Sequence, residues 1–200
     1  ANGGSGAPAT ETVATDATAT VSATTPTRSG YNFVAWNTAA NGTGTTYAPS
    51  ATFIMPGTNV TLYAIWTPVN YTLTYFAGTG GKVQVSGGSA QTSLTQTVAY
   101  TGDGVEVTAV PNTGYQFSSW DDSGSTPRAR TDLGITGDAT YTASFSIITF
   151  TLTYTAGTGG SISGSATQTV NYGSDGSAVT PTPSTGYRFV RWSDSSTSSP

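Results

Sequence analysis

The feature that most constrains this chain is a seven-residue aromatic motif that returns three times. "GYNFVAW" stands at Gly30–Trp36, "GYQFSSW" at Gly114–Trp120 and "GYRFVRW" at Gly186–Trp192. The pattern G-Y-x-F-x-x-W recurs at intervals of 84 and then 72 residues. Self-similarity on that scale marks tandem repeats, and 70–80 residues suits a small domain better than a solenoid turn.

The second and third repeats align well beyond the motif. "YTLTYFAGTGG" (Tyr71–Gly81) matches "FTLTYTAGTGG" (Phe150–Gly160), and "QTVAYTGDG" (Gln96–Gly104) matches "QTVNYGSDG" (Gln168–Gly176). "PNTGYQFSSWDD" (Pro111–Asp122) matches "PSTGYRFVRWSD" (Pro183–Asp194). Seven extra residues between Gly81 and Gln96 read as a longer hairpin. The first repeat is more distant: "ANGGSG" resembles the end of the A-G-T-G-G turn, and "NVTLYAIW" parallels "DATYTASF". It lacks an opening strand, and the third repeat runs only eight residues past its Trp. The expected modules are 1–68, 69–147 and 148–200, a window on a longer array.

Each repeat decodes into strands. Tyr71, Leu73 and Tyr75 alternate with Thr72 and Thr74, as Phe150, Leu152 and Tyr154 do with Thr151 and Thr153, a two-residue period that buries one face. Glycines in A-G-T-G-G supply positive φ for a tight hairpin. A second strand is expected around Val98 and Val170. G-D-G and S-D-G then mark a turn, and a third strand runs through Val105, Val107 and Ala109. The closing strand places Leu62, Ala64 and Trp66 on one face, and Tyr141, Ala143 and Phe145 in the second copy. No segment shows a 3.6-residue period, and Gly, Pro, Ser and Thr are too dense for long helices. The expected class is all-β, helix-poor, with small modules joined by linkers as short as "TPVN" and "SIIT".

Composition narrows the functions. Charged residues make up 8% and aromatics 11% of the chain, and about a third is Thr or Ser. Disordered chains lack aromatic and β-branched residues, so a folded, hydroxyl-covered β protein is expected. The net charge of −4, with six Lys and Arg scattered along the chain, offers no basic patch for nucleic acid. No apolar run is long enough to cross a bilayer. Cysteine and histidine are both absent, which removes disulfides, thiolate metal sites and the commonest general base.

Within the motif, Gly30, Gly114 and Gly186 fit a turn at positive φ that leads into the strand. Tyr31 and Phe33 share a face, as do Tyr115 with Phe117 and Tyr187 with Phe189. Trp36, Trp120 and Trp192 have the opposite parity, so a bulge or bend must intervene if they join the same core. A small module poor in other apolar residues needs these rings inside, each contributing about 1.5–3 kcal/mol when buried. The rival expectation is a sugar-stacking platform, for which Tyr47 and Tyr63, outside the motif, are the candidates.

With these residues in view, the chain resembles known repeat families. "ANGGSG", "PTRSGYNFVAWNTAANGTGTTYAP" and "FIMPGTNVTLYAIW" resemble the internalin-type B-repeat, also called the Listeria–Bacteroides repeat. "YTLTYFAGTGG", "TGYQFSSW" and "YTASF" resemble its divergent form. The resemblance implies β-grasp-like modules of secreted or cell-surface proteins, with no catalytic residue and no cofactor to carry over. It implies an extracellular structural or adhesive array, a stalk or fibre, whose partners are neighbouring repeats, other copies in a fibre, polysaccharide or a host surface protein. Glycan or host-protein binding through exposed aromatics, an accessory array within a secreted enzyme, and a self-assembling filament or sheath are the alternatives.

Other chemistry is thin. Asp121 and Asp122 are adjacent, so on a strand they point apart; with Asp103 they are an unconvincing calcium set without loop spacing. Ser is abundant but has no nearby base. "GTGGS" leads into a strand pattern and so suits no phosphate. Lys82, the single lysine, cannot supply an isopeptide bond to every repeat. Three N-x-T sequons, at Asn41, Asn59 and Asn70, would matter in a glycosylating host. No metal site and no catalytic site are expected.

Overall fold

The structure is a computed structural model that describes residues 1–122 and 127–194. Those residues form strands, turns and loops with no helix, the all-β, helix-poor class expected from the period-two patterning. The first repeat contributes β1 (Thr18–Thr20), β2 (Tyr31–Asn37), β3 (Thr46–Tyr47), β4 (Thr52–Ile54) and β5 (Tyr63–Pro68). The second contributes β6 (Asn70–Ala77), β7 (Gly81–Val85), β8 (Ser93–Ala99), β9 (Val107–Pro111), β10 (Tyr115–Trp120), β11 (Ala129–Arg130) and β12 (Ala139–Ile147). The third contributes β13 (Thr149–Thr153), β14 (Gly160–Ser163), β15 (Thr167–Asn171) and β16 (Thr180–Pro183).

Compactness divides the chain into two units, and the division falls inside the second repeat. One unit holds Ala1–Thr74, Thr95–Glu106 and Thr131–Thr140; the other holds Tyr75–Leu94, Val107–Arg130 and Tyr141–Pro200. Strands follow the order β10-β12-β6-β8 in the sheet of the middle repeat.

In the first unit, β2 lies between β3 and β5 in one antiparallel sheet, and β1 pairs with β4. The core is Val21, Trp36 and Ala64, with Phe33, Tyr47, Ala51, Phe53, Leu62 and Trp66 packed against it. Leu73, Val98 and Ile135 are buried in the same unit. Val105 and Glu106 lie outside any strand, unlike the expectation that Val105 begins one. Its main chain is taken by a side chain: Val105 N donates to Gln96 Oε1 at 2.7 Å, and Gln96 Nε2 donates to Val105 O at 2.8 Å. This keeps Val105 out of the ladder and exposed.

In the second unit, β9 lies between β7 and β11, β10 pairs with β12, β13 with β15 and β14 with β16. The long hairpin ends β7 at Val85 and turns through Gly87, at φ 74°. Tyr75, Val83, Val107, Ala109, Trp120 and Ala143 are buried. Among the described residues of the third repeat only Val179 reaches that degree of burial. The residues 186–192 join no ladder there. In the other two repeats the equivalent strand pairs with a closing strand (β2 with β5, β10 with β12).

Candidate functional site: the aromatic motif and the joints between repeats

Each motif opens with the same turn. Tyr31 N donates to Arg28 O at 3.1 Å, Tyr115 N to Asn112 O at 3.0 Å and Tyr187 N to Ser184 O at 2.9 Å. Gly30, Gly114 and Gly186 sit third in these turns at φ 72°, 82° and 83°. That is the position and conformation in which a type II turn requires glycine.

A bulge then reverses the parity of the strand. Pairing runs Phe33 to Trp66 and then Ala35 to Ile65, skipping Val34; it runs Phe117 to Phe145 and then Ser119 to Ser144, skipping Ser118. One extra residue brings Trp onto the face of Phe. Phe33 and Trp36 meet edge-on at 5.4 Å, and Phe117 and Trp120 lie 6.0 Å apart. Trp36 is 4% exposed and Trp120 2%. Phe33, Phe117, Tyr31 and Tyr115 are half-buried. Both buried indole N–H groups lack a hydrogen-bond partner among the described residues, so these rings are held by packing.

The third copy differs. Phe189 and Trp192 still meet at 5.3 Å, and Trp192 meets Tyr154 at 5.5 Å, but both are only half-buried and Tyr187 is 59% exposed. The expectation that every copy turns its rings inward is therefore corrected for Tyr187, because residues 186–192 pair with no strand among the described residues. Tyr47 and Tyr63 are also corrected as candidates for exposure. Both are half-buried, and Tyr47 packs on Phe53 at 5.0 Å within the core.

Between repeats the chain passes from strand to strand through one residue. Val69 separates β5 from β6, and Ile148 separates β12 from β13. Val69 N donates to Gly30 O at 2.9 Å, while Val69 O accepts from Tyr100 N at 2.8 Å. Ile148 N donates to Gly114 O at 2.8 Å, and Ile148 O accepts from Tyr172 N at 2.8 Å. Sequence reasoning assigned no role to Tyr100, Tyr172, Gln96 or Gln168. The signal was the repeated Q-T-V-x-Y itself, in which the x-Y end closes the joint and the Gln clamps the next turn. Gln168 makes the same clamp as Gln96, accepting from Ser177 N at 2.6 Å and donating to Ser177 O at 2.7 Å.

The remaining acidic candidates make structural bonds. Asp103 Oδ1 accepts from Gly134 N at 2.9 Å, and Asp122 forms a two-pronged ion pair with Arg130, both contacts at 2.9 Å. Among the described residues no cluster of acidic groups could hold a metal ion. Arg130 also stacks 3.6 Å from the centre of the Tyr141 ring. Asn41, Asn59 and Asn70 are exposed, and Asn41 Oδ1 accepts from Thr43 N and Thr43 Oγ1 at 3.2 and 2.8 Å. Lys82 is exposed.

Comparison with known proteins fits this picture. Residues 1–65 match the Listeria-Bacteroides repeat domain, and residues 71–149 and 150–199 match the divergent InlB B-repeat domain. A protein of Evansella cellulosilytica, provisionally named a Gly-rich membrane protein, is 35% identical over 100 residues. That match covers 46% of this chain and 11% of the relative, so the chain spans only a small part of its relative's length. No solved structure matches the chain.

Proposed function

Because the chain belongs to the Listeria-Bacteroides repeat and divergent InlB B-repeat families, we propose that it works as a structural array outside the cell. In this reading three modules, 1–68, 69–147 and 148–200, form part of a stalk or fibre of a cell-surface or secreted protein. The observation that carries it is the joint. A closing strand runs through one residue into the next opening strand, and that residue is hydrogen-bonded on both sides. Such a connection resists bending more than a free linker, because motion must break main-chain bonds. A hydroxyl-rich surface with few charges suits lateral contact with polysaccharide or other copies.

Antibody against this chain, applied to intact and to lysed cells of the source organism, tests the location. Labelling of intact cells supports the reading; labelling that requires lysis overturns it. A second reading, glycan binding, is favoured by the exposed pair Phe150 and Tyr172, whose rings lie 6.4 Å apart. Reproducible glycan-array binding that is lost in Phe150→Ala with folding intact would select it.

A further inference from the structure

The joints carry a second regularity, in side chains. Gly30 faces the ring of Tyr100 so closely that a Cβ there would clash with it. A Cβ on Gly114 would lie 2.6 Å from Tyr172 Cδ1. In each case the glycine belongs to one repeat and the tyrosine to the next. Tyr100 meets Tyr31 edge-on at 5.8 Å, which extends the contact to the motif's own ring. Gly186 adopts the same φ, yet no described residue lies within 4 Å of the place its Cβ would take. Backbone conformation alone therefore does not account for the close approach at the first two glycines.

The tyrosine is not common to all repeats. It is the last residue of Q-T-V-A-Y and Q-T-V-N-Y in the second and third; the first reads E-T-V-A-T, with Thr15 at that position. We infer that the bare face of the G-Y turn is a docking site for the tyrosine ring of a following divergent repeat. The pair would then decide which repeat type can be seated behind another. The partner is defined chemically: a hairpin edge that presents an aromatic ring beside a main-chain N–H, able to cover the glycine and bond the linker residue together. A repeat with Thr at this position brings the N–H but no ring. Proline or any residue with a Cβ in place of the glycine closes the site from the other side. The inference concerns how repeats join, and it holds wherever the array is displayed.

The experiment is amide hydrogen exchange, read by NMR on the full chain, at Ile148 and Tyr172. Gly114→Ala and Gly186→Ala carry the same positive-φ strain, but only the first meets a ring. Gly114→Ala should speed exchange at both amides by about tenfold or more, and Gly186→Ala should leave them unchanged. Tyr172→Thr, which copies the first repeat, should act like Gly114→Ala, whereas Tyr172→Phe keeps the ring and should preserve protection. Tyr172 is exposed enough that its variants are expected to fold even if Gly114→Ala does not. Unchanged protection in Tyr172→Thr, or equal effects of Tyr172→Thr and Tyr172→Phe, overturns the inference.

Discussion

The three motif tryptophans offer a graded test of what holds these repeats together. Trp36 and Trp120 are almost wholly buried and Trp192 only half-buried. Neither buried indole N–H is paired among the described residues, so replacing Trp36 or Trp120 by Phe gives up packing but no hydrogen bond. The loss should be about 1–2 kcal/mol from the smaller ring and the void it leaves. Alanine at either site removes the whole ring, typically ~3–5 kcal/mol. A repeat of this length is expected to have only about 3–10 kcal/mol in total. Trp36→Ala or Trp120→Ala should therefore leave that repeat largely unfolded, while Trp192→Ala costs roughly 1–2 kcal/mol. Because several repeats need not melt together, the assay is hydrogen exchange by mass spectrometry, read separately for each repeat. Equal losses at Trp120 and Trp192 would refute the idea that burial sets the value of the ring. A Trp36→Phe variant as damaging as Trp36→Ala would refute the unpaired role of the indole N–H.

Further expectations are narrower. Asn37 is buried and its amide organises the loop that follows, donating to Gly42 O, Gly44 O and Thr46 Oγ1 and accepting from Ala39 N and Gly44 N. Asn37→Leu strands these groups and should cost about 2–4 kcal/mol, seen as a lower denaturant midpoint for the first repeat. Arg130→Gln removes both the Asp122 pair and the stack on Tyr141. It should cost roughly 1–2 kcal/mol, and added salt should recover little of the difference because the Arg130 side chain is only 12% exposed. Gln96→Ala and Gln168→Ala should each lower stability by about 1–2 kcal/mol, with faster exchange at Val105 and Ser177 as the local signature.

Much of the strand plan was legible because a period of two is imposed by the backbone and shows wherever one face is buried. The bulge was legible for the same reason: Phe33 and Trp36 cannot share a core without an extra residue between them. The turn at Gly30 followed from its place just ahead of an aromatic strand. Tyr100 and Tyr172 were not legible as joint residues, since at the end of a strand a tyrosine looks like any other β-former. Their meaning depends on a glycine about 60–70 residues earlier that only the fold brings near. The Gln96 clamp was hidden likewise, because a side chain that replaces a ladder partner leaves no periodic trace. Tyr187 was misjudged because burial belongs to a pair of surfaces, and the periodicity of one segment shows only one of them.

The position of the boundary between compact units bears on how the array would fail. It falls within the second repeat rather than between repeats, and each unit contains one complete joint. In a linear array the stability of a repeat is the sum of its own term and its neighbour terms. Here the neighbour term includes two main-chain bonds at Val69, a ring over Gly30 and the Tyr31–Tyr100 contact. Damage to the first repeat should therefore spread. In Trp36→Ala, which touches nothing in the second repeat by sequence, exchange should quicken at Tyr100 and along the first half of β6, and much less at Trp120 and β10. Protection at Tyr100 that survives unfolding of the first repeat would mean that the joint is a contact without energetic consequence. A decline propagating from Val69 with distance would mean that the unit of stability is the joint together with the two half-repeats it fastens.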